Sequence, residues 1–265
     1  MWRDRLTKSL SDARRHFRIL WALMMRELAT RYGRDNIGFL WLIGEPLIFA
    51  FGVLIMWNII KPPYEHGIRV TPFVITGYMP ILLMRHMISH GLNSVRANTA
   101  LLYHRQITIL HLYTARLALE FVSLSLSLFV SVGVLIAFNL MDFPHALPLV
   151  YGGWFLLAWI SFGVTLILAA MAEVMEYVER FVQLFTYVLI PLSGTFYMVA
   201  WLPYQFRKPV MYIPFINCVE MIRAGFFGEF VPTYYNAAYA AAWGGALTFV
   251  GLFLLRFVRE RVDVE

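Results

Sequence analysis

Between Ile37 and Ile60 the chain runs for 24 residues with a single ionisable side chain, Glu45. A transmembrane helix needs roughly 20 mostly apolar residues, so this run can cross a bilayer. Comparable runs follow at about 72–93, 113–140, 148–171, 183–200 and 236–257. In lipid, every backbone N–H and C=O has to be paired inside the protein. An open strand leaves them unpaired, so even Ser123-Leu-Ser125-Leu-Ser127, which alternates with period two, reads as helix. The composition agrees: 60% of residues are apolar and 14% charged, against about half and a quarter in soluble domains. A soluble enzyme is excluded, and 17% aromatic residues exclude disorder. The fold class is therefore an all-α membrane protein with six transmembrane helices in one domain, 37–257.

Orientation follows from the basic residues. Nine of the 22 lie in the first 35 positions. With residues 1–36 inside, Arg96, Arg105, Arg116, Arg180, Arg256, Arg259 and Arg261 also fall inside, giving sixteen. Lys61, Arg69, Arg207, Lys208 and Arg223 make five outside. Positive charge accumulates on the cytoplasmic side of membrane proteins, so both termini, including the tail 258–265, are expected there. That distribution gives no reason to invoke nucleic acid as a partner.

Two segments outside the spans carry their own pattern. Phe17, Leu20, Trp21, Leu23, Met24 and Leu28 recur at helical spacing against Arg18, Arg26, Glu27 and Arg31, which predicts an amphipathic helix over 17–32 lying at headgroup level. Residues 201–235 are broken by Pro203, Pro209, Pro214 and Pro232, yet aromatic and apolar. Short re-entrant helices between spans five and six fit them, provided protein buries their backbone. Glu220 and Arg223, three apart among apolar neighbours, are expected to pair and hold such a helix in place. On that reading a variant with the two charges exchanged should recover part of the function.

The chemistry is notable for what is missing. A phosphate-binding loop needs Gly-x-x-x-x-Gly-Lys-Ser/Thr. Lys8 follows threonine, and Lys61 and Lys208 precede proline, so no lysine here serves and any ATP must be bound by another chain. The ionisable residues within the spans form no recognisable catalytic set. His86 and His90 have the spacing of a metal pair, but no carboxylate lies between them and Cys218, the one cysteine, falls on the other side; no metal or cofactor is expected. Glu45-Pro46, about eight residues into the first span, either faces a cavity or partner or snorkels beside a proline kink. Aromatic residues such as Trp41, Trp57 and Tyr197 form an interfacial belt or line a path.

Met25-Arg-Glu-Leu-Ala-Thr-Arg-Tyr-Gly-Arg34 and Asn36-Ile-Gly-Phe-Leu-Trp-Leu-Ile-Gly-Glu-Pro46 resemble the elbow helix and first span of ABC-2 type permeases, and more narrowly the inner-membrane permeases of capsule polysaccharide exporters. Leu101-Leu-Tyr-His-Arg105 resembles their coupling segment, and Leu189–Tyr197 and Ile213–Phe227 resemble their fifth span and re-entrant region. The resemblance implies a homodimer in the bacterial inner membrane with a cytoplasmic ABC ATPase that carries ATP and magnesium. It implies a periplasmic co-polymerase or adaptor, an outer-membrane export channel, and a lipid-linked anionic polysaccharide as cargo. O-antigen, teichoic acid or a smaller lipid are the alternative cargoes. By the same resemblance Leu101, Leu102, Tyr103, His104 and Arg105 meet the ATPase, and Arg26, Arg31, Tyr32 and Arg34 flank the cytoplasmic mouth. Trp41, Glu45, Trp57 and Tyr197 are candidates for the path, and Glu220 and Arg223 for the outer mouth.

Overall fold

The structure, a computed structural model, describes residues 2–33, 36–92, 94, 98, 101, 107–175 and 177–262 of the 265, with side chains outside 2–13, 31–32, 36–39 and 258–262. Helix α1 spans Trp2–Tyr32. Leu23 is buried, and Ile19, Leu20 and Met24 pack on the core, while Phe17, Trp21 and Met25 stay 68%, 56% and 46% exposed. One apolar face thus grips the bundle and another faces outward.

Helix α2, Asn36–Ile60, contains Pro46. Proline has no N–H, which leaves the carbonyl four residues earlier, Leu42, without its helical donor. Helix α4, Ile109–Ala137, supplies the replacement: Ser123 Oγ donates to Leu42 O at 2.6 Å, and Ser127 Oγ to Ile43 O at 3.1 Å. Ser125, on another face of α4, receives Trp154 Nε1 of helix α5, Leu147–Val174, at 2.9 Å. The alternating serines are helical and serve two neighbouring helices. Ser123→Val should therefore orphan a buried carbonyl and cost about 1–3 kcal/mol. Thermal unfolding of the detergent-solubilised protein should show the loss, and Ser123→Thr should largely restore it.

A two-residue hairpin, β1 (Tyr64–Glu65) and β2 (Ile68–Arg69), joins α2 to α3. Helix α3, Val70–Leu92, lies at the centre and is buried on nearly every side. Helices α5 (Leu147–Val174) and α9 (Ala237–Val262) cross closely through small residues. A Cβ on Gly163 would stand 2.8 Å from Thr248 N, and one on Gly251 2.6 Å from Leu166 Cβ.

Among the described residues, four helices are long and apolar enough to cross a membrane: α2, α4, α5 and α9. The count becomes five if the bent pair α7 (Tyr204–Met211) and α8 (Pro214–Phe227) is taken as one span. Two of the six expected runs differ from a long, unbroken apolar helix. Helix α3 has 23 residues, but Arg85, His86, His90 and two prolines lower its hydropathy. The run expected at 183–200 is helical only over α6, Val178–Leu192, 15 residues or roughly 22 Å. Gly194 then turns the chain at φ 77°, and a short 3-10 turn, Val199–Trp201, follows. The axes of α7 and of the segment Pro214–Phe230 meet at 108°.

Candidate functional site

Helix α8 explains how so much irregular backbone is tolerated at the heart of the molecule. All residues from Phe215 to Phe226 are buried, and Asn217, Glu220 and Arg223 form a polar stripe at i, i+3 and i+6. Each member is committed to backbone outside the helix. Arg223 donates through Nη1 to Gly194 O (2.8 Å) and Tyr197 O (2.6 Å), and through Nη2 to Thr195 O (3.0 Å). Its guanidinium also lies 4.6 Å over the Phe73 ring of α3. Glu220 accepts from Val199 N at 3.2 Å and Tyr234 N at 3.1 Å. Asn217 donates to Met211 O (2.8 Å) and accepts from Asn236 N (2.8 Å). Three segments, before α7, at the end of α7 and before α9, are thus tied to one helix.

Glu220 and Arg223 approach to 3.8 Å with 1% and 0% exposure, so the expected pair is present. Their mutual contact is the longest in the group; the shorter bonds run to backbone groups of fixed polarity. Exchange of the two charges would set a carboxylate against three carbonyls and a guanidinium against two N–H groups. This geometry favours no recovery from the exchange, in place of the partial recovery expected from spacing. Asn217 was missed by the sequence reading, although Asn-x-x-Glu-x-x-Arg at one-face spacing was the available signal.

Beside the hairpin, Tyr64, Arg69, Asp142, His145, Phe226 and Phe230 line a cavity of about 260 Å³. The Arg69 guanidinium is pushed above its ordinary value by its hydrogen bond to the Tyr64 hydroxyl, 3.1 Å away, and by the charge of that group.

A second polar cluster lies at the other end of α3, where the loop to α4 leaves. Arg116 of α4 is ion-paired with Glu27 of α1 and stands 3.7 Å from Glu120. Glu120, 2% exposed, faces His86 Nδ1 at 3.5 Å and His90 Nδ1 at 3.1 Å. Arg26 Nη1 donates to Asn98 Oδ1 in the α3–α4 loop at 3.1 Å, and Asn98 reaches Glu27 at 3.4 Å. His16 of α1 contacts His111 at 2.9 Å, while His111 closes a capping box with Thr108 at the start of α4. Helix α1 is therefore clasped to both the loop and the first turns of α4.

Of the other residues singled out in the sequence, Leu101 is half-buried and packs on the core. Leu102, Tyr103, His104, Arg105 and Arg34 lie outside the described residues, as do the side chains of Arg31 and Tyr32. The four path candidates do not converge. Trp57 stacks on Phe196 at 5.3 Å, next to Tyr197. Trp41 (53% exposed) and half-buried Glu45 sit near the opposite end of α2, with Trp41 about 24 Å from Trp57 along the helix axis.

These features define a polytopic helical membrane protein whose irregular segments are carried by buried polar side chains. No family model matches the chain. The capsule polysaccharide export inner-membrane protein BexB of Haemophilus influenzae is 34% identical over 248 residues, covering 94% of each chain. The capsule polysaccharide export inner-membrane protein CtrC of Neisseria meningitidis serogroup A is 35% identical over 248 residues, again 94% of each. The polysialic acid transport protein KpsM of Escherichia coli is 23% identical over 240 residues, 90% of this chain and 93% of the relative. The chain belongs to the family of capsule polysaccharide export inner-membrane proteins.

Proposed function

We propose that this chain is the transmembrane subunit of an ATP-driven exporter that moves a lipid-anchored acidic capsule polysaccharide across the bacterial inner membrane. The observation that carries the reading is the end-to-end similarity, 94% of each chain, to relatives named for capsule polysaccharide export at the inner membrane. The chain is not itself the enzyme; a separate cytoplasmic ABC ATPase binds ATP and magnesium. The working unit is a homodimer, joined across the envelope by a periplasmic co-polymerase or adaptor and an outer-membrane channel.

In this reading both termini are cytoplasmic and the polypeptide crosses six times, with α3 and the α6 region completing the four long apolar helices. The α1–loop–α4 clasp then lies on the cytoplasmic side. ATP-driven closure of the ATPase pair pushes on the segment Leu101–Arg105, and Asn98, Glu27 and Arg116 pass the movement to α1 and α4. Arg26, Arg31, Tyr32 and Arg34 stand where an anionic headgroup arrives, and complementary charge there steers rather than grips. Trp57 and Tyr197 belong to the outer half of the path, Trp41 and Glu45 to the inner half. The stripe on α8 fixes the outer mouth.

The experiment is a triple alanine substitution of Tyr103, His104 and Arg105 in the full complex. Insertion and dimer formation should persist, while ATP hydrolysis is uncoupled from the appearance of polymer outside the membrane. Wild-type export by that variant would remove the loop from the coupling role.

A further inference from the structure

The cluster of His86, His90 and Glu120 has no part in the polymer path or in the tying of α8. His86 and His90 stand four apart and present their Nδ1 atoms to the two different oxygens of Glu120 on the neighbouring helix. The three ligand atoms lie within 4.8 Å of one another. Zinc held tetrahedrally by nitrogen and oxygen at about 2.0–2.1 Å sets its ligand atoms about 3.3 Å apart, and each imidazole nitrogen stands near that distance, 3.5 and 3.1 Å, from one oxygen of the carboxylate. Yet His90 Nδ1, closed to solvent, makes no hydrogen bond among the described residues despite lying 3.1 Å from Glu120 Oε1. Two lone-pair donors and a carboxylate held this close without that hydrogen bond suit a shared cation.

We propose that His86, His90 and Glu120 form a site for a single divalent transition-metal ion, zinc by its ligand set, that ties α3 to α4 at the root of the loop between them. Two imidazoles and one carboxylate suit zinc, and three protein ligands leave a fourth position for water. Arg116, ion-paired with Glu27, stands 3.7 Å from Glu120 Oε1 and adds a charged neighbour just outside the three ligands. The histidines are 17% and 33% exposed, so the site opens to an entering ion on their side while Glu120 closes the other. A third ligand thirty residues away on the next helix is invisible to a sequence pattern, which is why the histidine pair alone gave no such expectation.

The test uses the full-length protein in lipid nanodiscs, titrated with zinc against a chromophoric chelator. One equivalent per chain should bind, and His86→Ala/His90→Ala should weaken binding at least about 100-fold, the scale seen when metal sites lose key interactions. His16→Ala, which disrupts the other histidine contact, should leave binding unchanged. Cobalt in place of zinc should give the visible absorption of a tetrahedral nitrogen–oxygen site in the wild type, a readout that does not depend on the variants folding. Absence of stoichiometric zinc uptake by the monodisperse wild type, an octahedral cobalt spectrum, or unchanged affinity in the double variant would each overturn the proposal.

Discussion

Arg223→Met is expected to be among the most damaging single substitutions in this protein. It keeps the bulk of the side chain but leaves the carbonyls of Gly194, Thr195 and Tyr197 without donors, and Glu220 without its neighbouring charge. Breaking a fully buried ionic group in this way costs roughly 3–5 kcal/mol. A large fall in the unfolding temperature of the solubilised protein and loss of export at intact membrane insertion are the outcomes to measure. Arg223→Lys should be intermediate, because an ammonium keeps the charge but cannot present the planar fork that reaches three carbonyls at once. The variant carrying Glu220→Arg and Arg223→Glu should be no better than Arg223→Met. Recovery by the exchange would mean that the 3.8 Å ion pair, and not the backbone bonds, holds the segment.

The second large effect is expected at Gly77 of α3, which faces the same knot. A Cβ there would fall 2.3 Å from the backbone oxygen of Thr195 and 2.8 Å from Arg223 Nη2. A backbone carbonyl already held by Arg223 has little freedom to retreat, so Gly77→Ala should force α3 away from α8. Overpacking of this kind costs about 1–3 kcal/mol, and loss of the Thr195 bond adds to it. Gly133→Ala is the matched control, since nothing lies within 4 Å of its added carbon. Thermal unfolding should separate the two variants clearly; equal stability would mean that α3 and the 194–197 turn are not in contact as described.

Much of the architecture was legible because membrane helices announce themselves by length. The apolar runs at 113–140, 148–171 and 236–257 correspond to α4, α5 and α9 within a few residues at most boundaries. A helix over 17–32 was legible too, although it begins far earlier, at Trp2, through a polar stretch that apolar periodicity does not mark. What failed was the fifth run. Leu189 to Ala200 is apolar enough to suggest a continued helix, yet Pro191 and Gly194 end it, and its freed carbonyls are answered by an arginine almost thirty residues away. No local pattern encodes that partnership.

The site was legible to the same degree. Glu220 and Arg223 could be paired by their spacing, but spacing is silent on which backbone groups each would meet. Asn217 continues the same three-residue spacing, but an uncharged side chain adds no ion pair by which that spacing could single it out. The path residues show the opposite limit. Trp41 and Glu45 lie well apart from Trp57 and Tyr197 along the axis of α2, and sequence cannot measure that separation. Glu120 was passed over because its partners His86 and His90 lie on a different helix.

The reading of this chain as the membrane subunit of a capsule exporter is tested most directly by where the polymer accumulates. The gene should be deleted in its capsulated host and restored from a plasmid, with long acidic polysaccharide quantified separately in the cytoplasm and on the cell surface. The expected result is full-length lipid-linked polymer trapped in the cytoplasm of the deletion strain, with surface polymer restored by the wild-type chain and not by Arg223→Met. Unchanged surface polysaccharide in the deletion strain, or cytoplasmic accumulation of a small lipid in place of the polymer, would contradict it.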